Sequence, residues 1–321
     1  MSPDYDREFY KAFEPLIPLV KARPKLQLED IESNRAKREG GVAAFLEALP
    51  DYPDVEQTVY HVEAADGYRI PVHCFSKNES LSGPGPAIIH LHGGGMILGS
   101  AQLFAKTTAR LASETSIPIF SVNYRLAPEF KGTTPVEDCY SVLLWLSRHS
   151  RQHGVDPARI AVYGESAGGG LAAGVTLIAR DRNLQPRIAK QFLVYPMLDD
   201  RNTTVDQVME PFAFWTTADN IIAWTALLGE VAGQNQASIS PYSAPARATT
   251  LSGLPPAYID VGGLDIFCKE NIIYATRLLA ENVTTEFHLY PGVPHVFELI
   301  APSSRMTKKA YENRVNAMLS F

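Results

Sequence analysis

A serine lies in a run of very small residues near the middle of the chain. Gly164, Glu165, Ser166, Ala167 and Gly168 fit the pattern G-x-S-x-G, directly after the short apolar run "IAVY". In this pattern the serine occupies a sharp turn between a strand and a helix, where larger flanking side chains would collide with the turn. The turn also sets the hydroxyl at the amino end of a helix, beside free backbone N–H groups. Ser166 is therefore a candidate nucleophile.

The same glycines allow a second interpretation. Gly168, Gly170 and Ala173 fit the G-x-G-x-x-G/A fingerprint of dinucleotide-binding proteins, which also follows a strand. That fingerprint opens the first strand–helix unit of its fold, whereas several strand-like runs precede it here. The nucleophile interpretation is favoured, and we expect no cofactor.

A serine hydroxyl becomes a strong nucleophile only when a base takes its proton, and that base is commonly a histidine oriented by a carboxylate. Where the serine lies in a turn of this kind, the chain order is serine, then the acid, then the histidine. Only two of the eight histidines, His288 and His295, follow Ser166 in the chain. His288 lies inside the strand-like run "TEFHLY", where a structural role is expected. His295 lies in the loop "PGVPHVFE" just beyond that run, at the edge where the serine is also expected. We expect His295 to be the base.

Four aspartates compete for the role of the orienting carboxylate. Asp260 falls inside the strand-like run "AYIDVG", whereas Asp265 lies in the following loop "GGLDIF". Asp199 and Asp200 end the preceding strand and remain weaker alternatives. Asp265 is favoured because loops that follow parallel strands carry catalytic groups to one edge of the sheet.

A glycine triplet could stabilise the charge that develops on a carbonyl oxygen during acyl transfer. The segment "LHGGGM" follows the apolar run "AIIHL", and its glycines let backbone N–H groups approach an oxyanion. By itself such a triplet is equally consistent with simple loop flexibility. The candidate oxyanion donors are Gly93, Gly94, Gly95 and Ala167.

Short apolar runs recur along the chain, separated by stretches of helical spacing. The runs "TVYHVEA" and "RIPVHCF" flank "ADGY", whose Asp-Gly pair predicts an antiparallel hairpin. Six further runs follow, namely "AIIHLH", "IPIFSVNY", "RIAVYG", "QFLVYP", "PAYIDVG" and "TEFHLYPG". Segments such as "VEDCYSVLLWLSRH" carry apolar residues three and four positions apart. This alternation predicts an α/β fold with a mostly parallel sheet and helices on both faces.

Two segments interrupt this alternation. The first 50 residues contain helix-forming pieces separated by prolines. They precede the first strand-like run and are predicted to be an addition to the α/β fold. Between Asp199 and Pro255, the aromatic-rich "MEPFAFWTTADNIIAWTALLG" and a polar stretch occupy more chain than one crossover needs. The second segment is therefore a candidate lid.

Charge and cysteine content exclude several classes of protein. The formal net charge of -6 comes without a Lys/Arg cluster, so no nucleic-acid partner is expected. No apolar run resembles a secretory signal or approaches membrane-spanning length, so we expect a soluble, cytoplasmic protein without a membrane partner. Cys74, Cys139 and Cys268 lack disulfide-framework and zinc-type spacings, and no metal site is expected.

The order of several motifs resembles one enzyme family. The segments "HGGG", "NYRLAPE", "GESAGGGLAA", "YPMLD" and "PGVPHVF" follow the order and approximate spacing of the hormone-sensitive-lipase-like esterases of the α/β-hydrolase fold. The resemblance implies an eight-stranded, mostly parallel sheet in a catalytic domain of residues 51–200 and 250–321. It also implies a helical cap formed by residues 1–50 and by the insertion 201–249.

The resemblance also assigns roles to single residues. It implies a nucleophile, an acid and a base at Ser166, Asp265 and His295, and main oxyanion donors at Gly94, Gly95 and Ala167. It implies neither a metal nor a cofactor, and it makes a homodimer plausible. Candidate pocket residues are Met96, which replaces an aromatic residue common in relatives, with Glu165, Phe212, Phe214, Trp215 and Trp224. The cap aromatics fit the core of the cap equally well.

The predicted activity is hydrolysis of short to medium acyl esters, a small-molecule substrate class, through an acyl-enzyme intermediate. A specialised deacylase or amide hydrolase of one metabolite would use the same residues and differ only in its pocket. A non-catalytic ligand receptor of the same fold is a third possibility, since plant gibberellin receptors resemble the family and lack the triad histidine. His295 is present here and disfavours that alternative.

Overall fold

The structure, a computed structural model, describes residues 4–23, 25–77 and 83–321. Residues 1–3 and 24 of the predicted amino-terminal cap segment lie outside these ranges. So do residues 78–82, the last of which begins the Pro/Gly-rich segment "SGPGP" before the run "AIIHLH".

Eight strands of the described residues form one sheet, in the order β1-β2-β4-β3-β5-β6-β7-β8. The strands are β1 (Val55–Glu63), β2 (Arg69–Lys77), β3 (Gly85–Leu91), β4 (Ile119–Val122), β5 (Val155–Glu165), β6 (Gln191–Val194), β7 (Ala257–Gly262) and β8 (Thr285–Tyr290). Strand β2 pairs antiparallel with β1 and with β4, and all other neighbours are parallel. The predicted hairpin and the mostly parallel eight-stranded sheet are confirmed.

Helices connect the strands and cover the sheet. They are α1 (Arg7–Phe13), α2 (Ile17–Lys21), α3 (Ile31–Glu47), α4 (Ala105–Thr115), α5 (Thr134–His149), α6 (Ala167–Asp181), α7 (Thr217–Leu228), α8 (Cys268–Ala280), α9 (Phe297–Ile300) and α10 (Arg305–Leu319). Short 3-10 helices span Glu14–Leu16, Ser150–His153, Glu210–Phe212, Gly229–Val231 and Pro245–Arg247. In the described ranges no helix combines the length and apolar character needed to cross a membrane.

Two core clusters lie on opposite faces of the sheet because successive side chains of a strand alternate. Ile89 of β3 packs in a cluster with Leu171 of α6 and Leu278 of α8. Ile88, its neighbour, packs in a second cluster with Leu111 of α4 and Met318 of α10. The sheet therefore has a layer of helices on each face, as predicted.

Small residues let α6 lie close to the centre of the sheet. A Cβ atom on Gly168 would clash with the carbonyl oxygen of Leu91 at the end of β3. A Cβ atom on Gly170 would meet the carbonyl oxygen of Met197 in the same way. The glycines after Ser166 are therefore needed for close packing between α6 and its neighbours.

The amino-terminal helices contact the insertion between β6 and β7. Arg23 and Arg38 each donate to a different oxygen of Asp219 in α7, at 3.0 and 2.9 Å. The rings of Phe13 and Phe214 lie 4.8 Å apart. Since Asp219 also forms the capping box of α7 with Thr216, its carboxylate orders α7 and ties it to the amino-terminal segment.

Candidate active site

Ser166 occupies the turn between β5 and α6. Its backbone has φ 57° and ψ -119°, a left-handed conformation that is strained for any residue other than glycine. The Ser166 N–H donates to the carbonyl of Val194 at the end of β6, at 2.9 Å. This strained turn holds the hydroxyl at the carboxyl edge of the sheet and at the amino end of α6.

His295 and Asp265 form a hydrogen-bonded chain with Ser166. The Nε2 atom of His295 lies 2.9 Å from Ser166 Oγ, and its Nδ1 atom lies 2.6 Å from Asp265 Oδ2. All three residues are buried. With a proton on Nδ1, the imidazole donates to the carboxylate and accepts the serine hydroxyl proton through Nε2. The structure thus brings the three predicted residues into the order that proton transfer requires.

Two aromatic rings flank the imidazole of His295. The Tyr195 ring packs edge-to-face at 4.6 Å between centroids, and the Phe267 ring does so at 5.2 Å. The Phe267 N–H also donates to Asp265 Oδ1 at 2.9 Å. Sequence reasoning missed both rings. Their positions in the sequence could have indicated them, since Tyr195 directly follows β6 and Phe267 comes two residues after Asp265.

The alternative candidates have other partners. Asp199 pairs with Arg201 at 2.8 Å. Asp200 pairs with Arg247 at 2.5 Å. His288 lies in β8, where its Nε2 atom is 2.8 Å from a carboxylate oxygen of Glu286.

Asp260 also has a different partner. Its carboxylate receives hydrogen bonds from Arg314 Nε and Nη2, at 2.7 and 3.0 Å. Burial raises the pKa of Asp260, while the guanidinium of Arg314 opposes that shift. The structure therefore gives Asp260 a buried ion pair, and it places Asp265, not Asp260, against His295.

The glycine triplet lies against the nucleophile turn. A Cβ atom on Gly93 would lie 3.5 Å from Ser166 Cβ, so the two backbones are close. Gly94 and Gly95 have φ values of 122° and 63°. At Gly94 a side chain would also clash with the Leu98 carbonyl oxygen, so this conformation requires glycine.

His92 anchors the start of this loop. Its ring stacks on Tyr124 at 4.2 Å between centroids, and its Nδ1 atom lies 2.8 Å from the carbonyl oxygen of Gly93. The Tyr124 hydroxyl donates to the His92 carbonyl oxygen at 2.7 Å. Burial lowers the pKa of His92 to about 3, so the imidazole is neutral near pH 7.

Glu165 lies between the core and the cavity. Its Oε2 atom is 2.9 Å from Nε2 of His90, whose Nδ1 atom is 2.8 Å from the Ser121 hydroxyl. His90 and Ser121 are fully buried. This chain fixes the orientation of the carboxylate beside Ser166.

A cavity of about 420 Å³ opens above Ser166 and His295. Gly93, Gly94 and Gly95 line it on one side. Its apolar cap-side lining includes Leu16, Leu19, Val20, Val42 and Phe45 of the amino-terminal segment. An apolar cavity around a nucleophile suits the hydrocarbon part of a substrate.

Three of the predicted pocket residues lie on this cavity and three do not. Glu165, Phe214 and Trp215 are among the described residues that line it, whereas Met96, Phe212 and Trp224 are not. Met96 and Trp224 are each 1% exposed and pack in the main core, where burial of their large apolar surfaces is favourable. The Phe212 ring packs at 4.9 Å on Tyr5 instead.

Among the described residues, no group of three or more His, Cys, Asp or Glu side chains is arranged to hold a metal ion. Cys74, Cys139 and Cys268 are free, and the first two are buried.

Comparison with known proteins defines the class of this molecule. A family described as the alpha/beta hydrolase fold matches residues 88–299. Esterase LipI of Mycobacterium tuberculosis is 36% identical over 206 residues, a match that covers 63% of this chain and 62% of LipI. The carboxylic ester hydrolase LipN of the same bacterium is 31% identical over 281 residues, covering 84% of this chain and 70% of LipN. The chain belongs to the alpha/beta hydrolase fold family.

A solved structure narrows this assignment. A bacterial heroin esterase superposes with a TM-score of 0.88 at 34% sequence identity, covering 98% of this chain and 97% of that one. Together with the HGGG and GESAGG motifs, these relatives identify the protein as a hormone-sensitive-lipase-like esterase. The family resemblance stated from the sequence is confirmed.

Proposed function

We propose that this esterase hydrolyses carboxylic esters with short to medium acyl chains, with Ser166 as nucleophile, His295 as base and Asp265 as the orienting acid. The observation that carries the proposal is the hydrogen-bonded chain from Ser166 Oγ through His295 to Asp265, with distances of 2.9 and 2.6 Å. It lies at the floor of a largely apolar cavity of about 420 Å³. That cavity suits a small ester, since most of its walls are apolar side chains and the Ser166 hydroxyl lies at its floor.

The first half of the reaction forms an acyl-enzyme. Ser166 Oγ bonds to the carbonyl carbon while its proton moves to His295 Nε2, and the carbonyl oxygen becomes an oxyanion. Backbone N–H groups of Gly93, Gly94, Gly95 and Ala167 are the proposed donors to that oxyanion. The tetrahedral carbon then expels the alcohol, which takes the proton from His295.

The second half of the reaction releases the acid. Water gives a proton to His295 Nε2 and attacks the acyl carbon, and collapse of the second tetrahedral intermediate returns that proton to Ser166 Oγ. Asp265 keeps its charge throughout and stabilises the imidazolium that forms in each half. Burial of the carboxylate against His295 supports this role.

The same proposal divides the chain into a catalytic domain of residues 51–200 and 250–321 and a cap of residues 1–50 and 201–249. The shared ion pairs of Asp219 with Arg23 and Arg38 support a cap made of both segments. Glu39 of α3 accepts a hydrogen bond from the Gly99 N–H at 2.9 Å, which links the cap to the loop that follows the glycine triplet. A hydrogen bond therefore joins the proposed cap to the loop that contains the proposed oxyanion donors Gly93–Gly95.

Hydrolysis of p-nitrophenyl acetate, butyrate, octanoate and palmitate by the wild type and by Ser166→Ala tests the proposal. We expect the wild type to favour the shorter esters and Ser166→Ala to lose at least about 10³-fold in kcat. Ser252→Ala, which changes an exposed serine, is the matched control and should keep the wild-type rate. A folded wild type that hydrolyses none of these esters but cleaves p-nitroanilides would instead favour an amide hydrolase.

A further inference from the structure

One wall of the active-site cavity differs from the rest, because it is polar and charged. This polar wall consists of Tyr163, Glu165, Tyr195, Glu298, Tyr311 and Arg314. All of these except Glu165 are buried residues. Polar groups that close an otherwise apolar cavity are the usual source of ligand specificity.

Three elements, β5, α9 and α10, supply five residues of the polar wall, and Tyr195, directly after β6, is the sixth. Tyr163 and Glu165 are two residues apart on β5, so their side chains lie on the same face of the strand. Tyr311 and Arg314 are three residues apart on α10 and share a helix face. Glu298 lies in α9, directly after the His295 loop. Most of the wall is therefore built on a strand and two helices close to Ser166 and His295.

Glu298 is the group of this wall whose bonding is incomplete. Its Oε1 atom accepts hydrogen bonds from the Tyr195 hydroxyl and from Arg314 Nη1, both at 2.7 Å. Its Oε2 atom is buried and has no hydrogen-bond partner among the described residues. A buried carboxylate oxygen without a donor is unfavourable, so a donor supplied by a ligand would be bound well here.

The charges of the wall do not cancel. Arg314 contacts two carboxylates, those of Asp260 and Glu298, and so neutralises only one of them. Glu165 contributes a further carboxylate, whose Oε2 atom lies 2.9 Å from Nε2 of His90. The wall and Asp260 together carry more negative than positive charge, and low polarity strengthens their attraction for a cation.

Positive groups near this wall have their own partners. Arg110 lies 3.5 Å from the Tyr311 ring centroid, and its Nε atom donates to Glu114 at 2.7 Å. On the cap side of the cavity, Arg23 and Arg38 share the carboxylate of Asp219. Arg23, Arg38 and Lys37 thus lie on the cap side of the cavity, whereas Glu298 Oε2 belongs to the polar wall and has no donor among the described residues.

We propose that the polar wall is a subsite for a protonated amine carried by the substrate. The ammonium group donates hydrogen bonds to Glu298 Oε2 and to the carboxylate of Glu165. The inference rests on the proposed function, because the amine belongs to the ester that Ser166 attacks. It deepens that function by naming the substrate as an amine-bearing ester.

Calorimetric titration of the wild type with n-pentylamine and with 1-pentanol tests the subsite directly. Near pH 7 the amine is protonated, whereas the alcohol has similar size and no charge. We expect the amine to bind at least about tenfold more tightly, the ratio that one charge-assisted hydrogen bond can supply. The amine should also inhibit p-nitrophenyl butyrate hydrolysis competitively. Equal or weaker binding of the amine would overturn the proposal.

Variants locate the effect. Glu298→Gln keeps the shape of the side chain but removes its charge, and it should bring the amine-to-alcohol ratio close to unity. Glu312→Gln removes an exposed carboxylate from α10 and should leave the ratio unchanged. If Glu298→Gln does not fold, the wild-type ratio and Glu165→Gln, which removes the other proposed carboxylate and should also lower the ratio, still decide the question.

Failure of the subsite can be told apart from failure of the proposed function. The titration needs no turnover, so it reports on the wall even if the enzyme cleaves no test ester. Wild-type hydrolysis that depends on Ser166, combined with no preference for the amine, would retain the esterase assignment and reject the subsite.

Discussion

Asp260 and Asp265 show how two buried carboxylates close in sequence acquire different roles. Asp265 lies beyond the end of β7 and contacts the imidazole of His295 at 2.6 Å. Asp260 lies within β7 and is held by two nitrogens of Arg314. Both carboxylates are buried, so burial does not distinguish them. The proposed catalytic edge, formed by Ser166, Asp265 and His295, and the Arg314 cluster, formed by Asp260, Glu298 and Arg314, differ in the partner that each gives to its aspartate. That partner depends on whether the aspartate lies inside the strand or in the loop after it.

The largest effect is expected from replacing Asp265, the carboxylate that accepts a hydrogen bond from His295 Nδ1. Asp265→Asn should lower kcat about 10⁴-fold, because an amide facing His295 favours the wrong imidazole tautomer and does not stabilise the imidazolium. Initial rates on p-nitrophenyl butyrate measure the change. Asp199→Asn, which alters the surface pair with Arg201, is the matched control. A loss of less than tenfold in Asp265→Asn would remove Asp265 from the mechanism.

The second test removes the cation of the Arg314 cluster. Arg314→Met should lower the free energy of unfolding by about 3–5 kcal/mol, because it leaves the buried carboxylates of Asp260 and Glu298 without their cation. Urea denaturation of the folded enzyme measures this change. Arg305→Met on the same helix alters an arginine whose side chain is 73% exposed and should change the midpoint little. An unchanged midpoint in Arg314→Met would show that the cluster contributes nothing to stability.

The third test returns to the catalytic edge but changes backbone rather than charge. Gly94→Ala should lower kcat by about 10²–10³-fold, the typical cost of losing an oxyanion donor, because its φ of 122° and the clash with Leu98 displace the loop. Steady-state kinetics should show the loss mainly in kcat. Gly40→Ala, at a position in α3 with open space around the new Cβ atom, is the control. Equal activity of both variants would contradict an oxyanion role for this loop.

The hydrogen-bonded arrangement of Ser166, His295 and Asp265 was predictable from the sequence because its signals are local. The small residues around Ser166 mark a tight turn, and the loop positions of Asp265 and His295 follow from the strands that precede them. The order of parallel strands then requires these loops to meet at one edge. The eight strands and their mostly parallel arrangement followed from the same alternation of apolar runs.

The polar wall and the pocket were not predictable in this way. Glu298 of α9 and Arg314 of α10 meet through tertiary packing, in which Glu298 also contacts Tyr195 and Arg314 also contacts Asp260 of β7. No local sequence pattern encodes such contacts. Met96 and Trp224 show the same limit, since their types suit a pocket but their packing buries them in the core. Whether a large apolar side chain lines a cavity or packs in the core is decided by tertiary contacts, and these cannot be read from a single sequence.

The smallest expected effect concerns His92, which directly precedes the glycine triplet Gly93–Gly95. Burial lowers its pKa to about 3, whereas a histidine in the unfolded chain titrates near about 6.5. Between these values the unfolded chain binds the proton more strongly than the folded protein does. The His92 contribution to stability is therefore lost as pH falls from about 6.5 towards 3, by up to about 1.4 kcal/mol per pH unit.

Comparison with a non-titrating variant isolates this slope. His92→Asn should be less stable than the wild type near neutral pH, since it loses the stacking on Tyr124. The stability difference between the two proteins should shrink as the pH is lowered, because only the wild type has this imidazole to protonate on unfolding. Urea denaturation at about pH 7, 5.5 and 4.5 measures the difference. If it stays constant across this range, His92 is not held neutral by burial, and the loop beside Ser166 is more open to solvent than the structure indicates.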